Sequence, residues 1–494
     1  MLRNEKIIRL IFGFKVHYLR QQKGLSYQEL ANLTGLSTSY LNDIEKGKRY
    51  PKPDKITVLA EALGEDYNYL VSTNASKKLQ PIIDLLQSSF FRLFPLQEFG
   101  ISPEKLLGIF THTPDKVTAF ISTIFKIARN YQVDERMFYL EALRSYQDMY
   151  NNYFPELEDA ARSFKKEFSI QETLPFTPGF LEDQLEEIYG ITTNRKELFS
   201  NKKLHQIRSY YKPESKVLHL QKGLTVPQQN FLLARELGFQ YLDLLERPLE
   251  TTIIHIETFE KLLNNYKASH FAAALLMDEE TLCADITRLA RENSWNPDLF
   301  LQLLEKYEVS PETLMQRLTN ILPKHFGLED LFFIRLSGSK DLKTFRMTKD
   351  LHLSNPQSPY NNELGEHYCN RWVSITSIKE MRLKQNTKPE NLIVADAQIS
   401  KYWGTDKEYL CISMARPSTK NGETGVSVTL GLLVNPQLKG SFYFLSDPKI
   451  KYREVHTTCE RCGIIDCEAR VAPPTIIEQE DLQKEIFTAL TELK

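Results

Sequence analysis

Between Gln28 and Lys46 the chain reads QELANLTGLSTSYLNDIEK, two short apolar stripes separated at Thr34-Gly35. Leu30, Ala31 and Leu33 make the first stripe, and Tyr40, Leu41 and Ile44 the second. Apolar positions three and four apart predict helices. Ser26, with Glu29 three residues later, is the capping-box pattern that starts the first helix. Ser37 caps a second, about Ser37 to Lys46. Gly35 suits the turn between them. In the second helix Leu41 and Ile44 face inward, while Thr38, Ser39, Asn42 and Asp43 point mostly outward. A helix at about Ile11 to Gln22 precedes the pair. Another, about Asp54 to Leu63, follows and ends at Gly64, a C-cap residue.

Beyond a Ser/Asn/Lys-rich linker, helical spacing continues through IIDLLQSSFFRLF, VTAFISTIFKIARNY and MFYLEALRSYQDMYNNYF. These aromatics read as a packing core, and the segment is a candidate dimer interface. FLEDQLEEIYGI and VPQQNFLLARELGFQYLDLL are further helices, with KVLHLQKGLT as a short strand and turn between them. In VSPETLMQRL, Ser310 caps a helix with Pro311 and Glu312 in its first turn. At about Pro323 the pattern changes. LFFIRLS, KTFRMTKDLHL, NLIVADAQIS, EYLCISMARP and GVSVTLGLLVN are short β-rich runs, and EHYCNRWVSITSIKEM between them reads as a helix. The expected architecture is multidomain. An all-α N-terminal helix-turn-helix spans 1–75, a helical linker or dimerisation region 76–164 and a helical domain 165–322. An α+β domain follows at 323–494, with a mostly antiparallel sheet and one covering helix layer.

Composition adds little. The 494 residues carry a formal charge of −2. Residues 1–72 hold eleven Lys/Arg against eight Asp/Glu, a net of +3, so DNA would be bound by a local patch rather than by bulk charge. No run is long enough for a membrane span, and a cytoplasmic protein is expected. Six cysteines in so long a chain do not suggest a disulfide framework.

The segment from Leu19 to Gly64 resembles the Cro/repressor-type (XRE) helix-turn-helix family. The resemblance implies that the second motif helix enters the DNA major groove. Candidate groove contacts are Ser37, Thr38, Ser39, Tyr40 and Asn42, and candidate phosphate contacts are Gln28, Lys48 and Arg49. A single copy has a small footprint, so a homodimer on a two-fold operator is expected.

The helix around LLARELGFQY, with KASHFAAALLM downstream, resembles the ImmA/IrrE group of zinc metallopeptidases, whose motif is H-E-x-x-H. Here Arg235 and Phe239 stand at the histidine positions, Glu236 at the general base, and Lys267 near the third ligand. These residues cannot bind zinc, so no enzyme is expected. A peptidase that cleaves a repressor is the disfavoured alternative.

HTTCERCGIIDCEAR places Cys459, Cys462 and Cys467 at C-x2-C-x4-C, with Gly463 supplying a permissive backbone. Thiolates so spaced can converge on one metal, and Cys369 or His456 could complete four ligands. Cys411, in an apolar strand, reads as core. The order of segments, with CERCGIIDCEARVAPP and CNRW as its most specific parts, resembles the short-chain fatty acyl-CoA regulators. That resemblance implies a GAF-like sensor domain for a short-chain acyl-CoA or related metabolite. It also implies an iron–sulfur cluster (4Fe-4S) on Cys369, Cys459, Cys462 and Cys467. Zinc is the alternative metal, and a purely structural zinc knot without a small ligand is the alternative reading. No residue is singled out for the ligand, although Arg335, Arg346, Arg371 and Arg416 are possible anion partners.

Overall fold

The computed structural model describes residues 2–73, 80, 83, 98–100, 135–170, 174–200, 202–251, 258–353, 365–385, 392–418 and 423–492. The chain divides into two compact units, Met1–Tyr146 with Ile254–Leu262, and Gln147–Ile253 with Leu263–Lys494.

The first unit opens with α1 (Leu2–Gln22), α2 (Tyr27–Thr34), α3 (Thr38–Glu45), α4 (Pro53–Leu63) and α5 (Tyr67–Val71). Phe12, Val16 and Leu19 of α1 pack on Leu30, Leu41, Ile44 and Leu59 to form the core. Both expected caps are present: Ser26 and Glu29 form a reciprocal capping box, and the Ser37 hydroxyl accepts the Tyr40 N–H. Gly35 ends α2 at φ 64, a left-handed conformation that disfavours a side chain. Gly13 has a different role. A Cβ there would stand 2.3 Å from the Ile44 carbonyl oxygen, so glycine is what lets α1 lie directly against α3. Two sequence expectations change. The first helix begins at Leu2, well before Ile11. Leu33 is 59% exposed, so the apolar stripe of α2 is Leu30 and Ala31 without it. The linker and dimerisation region expected at 76–164 lies mostly outside the described residues; its last part carries α6 (Glu135–Met149).

The second unit continues with α7 (Pro155–Glu167), α8 (Pro178–Tyr189), β1 (Thr192–Asn194), α9 (Glu197–Ser200), β2 (Ser209–Lys212) and β3 (Val217–Leu220). Next come α10 (Val226–Tyr241), α11 (Phe259–Leu276), α12 (Glu279–Ala290), α13 (Pro297–Tyr307) and α14 (Pro311–Phe326). A small sheet of order β1-β3-β2 packs among these helices; β3 is the short strand expected in KVLHLQKGLT, while β1 and β2, three and four residues long, were too short to stand out as alternation. The C-terminal part holds β4 (Leu331–Ser339), β5 (Phe345–Leu353), α15 (Val373–Gln385), β6 (Val394–Tyr402), β7 (Glu408–Pro417), β8 (Glu423–Leu433), α16 (Pro436–Ser441), β9 (Lys451–Val455) and α17 (Thr475–Glu492). Its sheet has the order β5-β4-β8-β7-β6-β9 and is antiparallel except where β9 joins β6 in parallel.

This sheet is covered on both faces, not by one helix layer. Leu331 and Phe333 of β4 belong to a core shared with the helices, while Phe332, Ile334 and Leu336 pack under α15 with Ile375, Ile378 and Met381. Such two-sided burial is why LFFIRL reads as a continuous apolar run. The larger core runs from Ala161 to Ile450, so apolar packing is unbroken at residue 323. Pro323 itself lies inside α14, which Ser310 caps at its start and Gly327, at φ 64, at its end. Among the described residues no helix is long and apolar enough to cross a membrane.

Candidate nucleic-acid interface and cysteine corner

The surface of α3 is held from behind by a buried carboxylate. Glu45 accepts from Arg20 Nε at 2.6 Å and Nη2 at 3.0 Å, and from the Tyr27 hydroxyl at 2.7 Å. His17 Nδ1 lies 2.6 Å from the same group. Burial works against the charge on Glu45, but His17, Arg20 and Tyr27 outweigh it and hold the carboxyl below its ordinary range. One side chain therefore ties α1, α2 and α3 together. The sequence offered a signal that went unread: Glu45 follows Ile44 on the inward side of the helix.

In front, Gln28, Ser37, Thr38, Ser39, Lys48 and Arg49 are exposed, and Tyr40 and Asn42 half-buried. Three of these side chains, Ser37, Arg49 and Gln28, already have partners. The Ser37 hydroxyl is engaged as the cap of α3. Arg49 pairs with Asp43 at 3.3 Å and stands over the Tyr40 ring at 5.9 Å. Gln28 Nε2 donates to Asn32 Oδ1 at 3.3 Å.

In the second unit, α10 carries Arg235, Glu236 and Phe239. Glu236 is gripped by Arg247, Nη1 to Oε1 at 2.9 Å and Nη2 to Oε2 at 2.6 Å, and Gln240 adds a donor at 2.8 Å. The Arg247 guanidinium lies over the Phe239 ring at 4.0 Å. A carboxylate held by a bidentate guanidinium is not available as a general base. Arg247 was missed because it sits in a loop with no motif around it.

The four candidate thiols share one corner. Cys369, Cys459 and Cys462 are buried and Cys467 is half-buried. Tyr368 and Thr458 form an isolated antiparallel bridge, with Cys369 N–H donating to the Thr457 carbonyl at 3.2 Å and Cys459 N–H to the His367 carbonyl at 2.8 Å. Burial pushes the Cys369 thiol up to about 11, although backbone N–H groups of His456 and Arg371 donate to its sulfur; Cys459 and Cys462 lie close enough to raise it further. Cys462 is raised by burial too, and lies within electrostatic reach of Cys467 and Cys459. Arg470 ties the loop, donating to the carbonyls of Cys459 at 2.9 Å, Cys462 at 3.0 Å and Ile464 at 2.7 Å. Arg461 forms a fork on Glu366. Among the described residues no three His, Cys, Asp or Glu side chains stand in a metal-holding cluster. By residue type alone, four thiols are the donors a soft metal would require. His456 is turned to other partners, its Nδ1 at 3.1 Å from the Thr457 hydroxyl. Gly463 does not adopt a positive φ; a Cβ there would meet the Trp403 ring at 2.4 Å, so close packing is what requires glycine. Cys411 is core, and burial pushes its thiol up to about 12.

The four arginines considered as anion partners separate. Arg346 is exposed on β5, and Arg371 is half-buried at the cysteine corner. Arg335 and Arg416 instead share one face of the sheet, where Glu312 pairs with Arg335 at 3.3 Å and with Lys349. Arg208, which the sequence gave no reason to choose, lies within electrostatic reach of Arg416 and Glu312.

The helix-turn-helix family matches residues 16–70, and the IrrE N-terminal-like domain family matches residues 187–319. The HTH-type transcriptional regulator RamB of Mycobacterium tuberculosis is 21% identical over 362 residues, covering 69% of this chain and 72% of that protein. The HTH-type transcriptional repressor RghR of Bacillus subtilis is 41% identical over 61 residues, 12% of this chain and 45% of that one. A solved Mycobacterium tuberculosis transcriptional regulator aligns over 68% of this chain and 93% of its own, with 18% identity and a TM-score of 0.48. The chain thus joins an XRE-type helix-turn-helix to an IrrE-like domain and is similar to RamB-type regulators.

Proposed function

We propose that the chain is a sequence-specific DNA-binding transcription regulator, acting in the cytoplasm as a homodimer. The observation that carries this reading is the α2–α3 pair: two capped helices, locked from behind by Glu45, leave Thr38 and Ser39 exposed at the start of α3. The start of the second motif helix is where base edges are read. The experiment is selection of bound duplexes from a genomic fragment library, followed by two substitutions. Asn42→Ala is expected to relax sequence preference. Lys48→Ala is expected to weaken all sequences evenly and to lower the salt slope by about 1. If neither substitution changes binding, α3 is not the reading surface.

The C-terminal sheet region is the sensor, a GAF-like domain for a short-chain acyl-CoA or related metabolite. Two features support this assignment. Beneath α15 lies a buried hydroxyl chain, Ser374 to Thr429 at 2.8 Å and Thr429 to Ser413 at 2.9 Å. The Ser377 and Ser427 hydroxyls beside it have no hydrogen-bond partner among the described residues. On the opposite face, Arg208, Arg335, Lys349 and Arg416 surround a single carboxylate, Glu312, a balance suited to an anionic ligand.

Cys369, Cys459, Cys462 and Cys467 would hold a four-iron cluster, which supplies a structural brace or a redox input. Anaerobically purified protein is then expected to contain about four iron and four acid-labile sulfide per chain, both lost in Cys462→Ser. About one zinc and no sulfide would leave a structural knot instead.

A further inference from the structure

Arg235 is 8% exposed, yet it has no tight partner. Nη1 lies 3.4 Å from Asn265 Oδ1, and Nη2 lies 3.4 Å from both the Ser209 and the Thr251 hydroxyl. Nε has no hydrogen-bond partner among the described residues. Contacts of this length are at the weak end of the hydrogen-bond range. The adjacent carboxylate cannot help, because Glu236 is committed to both Nη atoms of Arg247. Among the described residues, two guanidinium groups therefore face one carboxylate, and one positive charge is left over. Both cations approach the same apolar wall, the Phe239 ring, at 5.7 Å for Arg235 and 4.0 Å for Arg247. A buried cation without a counter-charge is expensive, and a matched anion removes that cost.

We propose that the buried corner around Arg235 on α10 receives a small monocarboxylate. Ser209, Thr251 and Asn265 hold the Nη ends of Arg235 only at 3.4 Å, so a carboxylate accepting from Nε and one Nη would replace weak contacts with charge-assisted ones. A planar, singly charged anion matches both the fork and the single surplus charge. This inference is independent of the DNA-binding reading.

The test uses the full chain and formate as the probe, with sodium chloride at matched ionic strength as the reference. Formate is expected to raise the thermal midpoint saturably above the chloride curve. Inorganic phosphate should bind more weakly, because its second charge has no match. Arg235→Gln is expected to weaken formate binding at least about ten-fold, the loss of a charge-assisted hydrogen-bond pair. Should that variant fail to fold, Thr251→Val serves in its place and should show reduced formate affinity. Arg346→Gln, on the exposed face of β5, should respond as the unsubstituted protein does. The proposal is overturned if formate gives no saturable excess over chloride, if phosphate binds more tightly than formate, or if both site variants respond as the unsubstituted protein does.

Discussion

Glu45→Ala is expected to abolish specific DNA binding without touching a DNA-facing residue. The carboxylate is the common acceptor for Arg20, His17 and Tyr27. The Glu45 side chain is 2% exposed and that of Arg20 9%. Removing one partner of such a buried pair costs about 3–5 kcal/mol, because the other charge stays buried. The α1–α5 bundle, about 70 residues at roughly 0.05–0.15 kcal/mol each, has only about 4–10 kcal/mol in total. The substitution thus removes a large share of what holds α3 in place. Arg20 retains a bond to the Leu25 carbonyl at 2.8 Å, which holds the loop into α2 but not α3. The check is amide hydrogen exchange across α1–α3, read beside DNA affinity. Exchange should quicken in α3 while the second unit is unchanged. Unaltered protection together with unaltered affinity would show that α3 stands without the carboxylate. The same group gives a pH dependence. Its folded carboxyl titrates below the ordinary glutamate range, so its contribution is fully present above the unfolded value of about 4.5 and is lost as pH falls through the folded one.

The parts of the fold legible in the sequence were those whose order is local. The caps at Ser26, Ser37 and Ser310 and the left-handed glycines at 35 and 64 are fixed by neighbours within a turn. The runs LFFIRLS, KTFRMTKDLHL, NLIVADAQIS, EYLCISMARP and GVSVTLGLLVN each became a strand, because their burial is imposed by the sheet itself. What was not legible depends on distant partners. β9 carries Lys451, Tyr452, Arg453 and Glu454, mostly exposed at the sheet edge, so it has no apolar alternation to announce it. Pro323 reads as a break, yet tertiary packing carries α14 through it. For the candidate sites, the residue types on α3 and the thiol spacing were plain. The groups that arrange them, Arg20 behind α3, Arg247 on Glu236 and Arg470 inside the cysteine loop, come from other segments and follow no spacing rule.

Arg317→Met is expected to lower the stability of the second unit more than any surface substitution. Arg317 is fully buried on α14 and donates to both oxygens of Glu158 on α7, with Nη2 to Oε2 at 2.8 Å. His270 on α11 approaches the same carboxylate, Nε2 to Oε1 at 2.9 Å, so three helices far apart in sequence meet at one charge. Burial alone would raise the Glu158 carboxyl, but Arg317 and His270 bring it down to about 2. Burial pushes His270 down from its ordinary value, and its Nε2 faces the carboxylate. Loss of the arginine leaves Glu158 buried without its guanidinium and costs about 3–5 kcal/mol. The double variant Glu158→Leu with Arg317→Met, which removes both charges, should recover much of that loss. Acid breaks the same pair from the other side, protonating Glu158 and leaving Arg317 buried without its counter-charge. Unfolded chains take up a proton at His270 below about pH 6.5 and at Glu158 below about pH 4.5, whereas the folded protein resists both. Stability should therefore decline as pH falls through the first value and more steeply between the second and about 2. Thermal midpoints measured from pH 7 to pH 3 for the unsubstituted chain and the double variant decide the matter. The double variant, which keeps only His270, should lose the steeper acid limb. Parallel curves for the two proteins would mean that Glu158 and Arg317 do not govern acid stability.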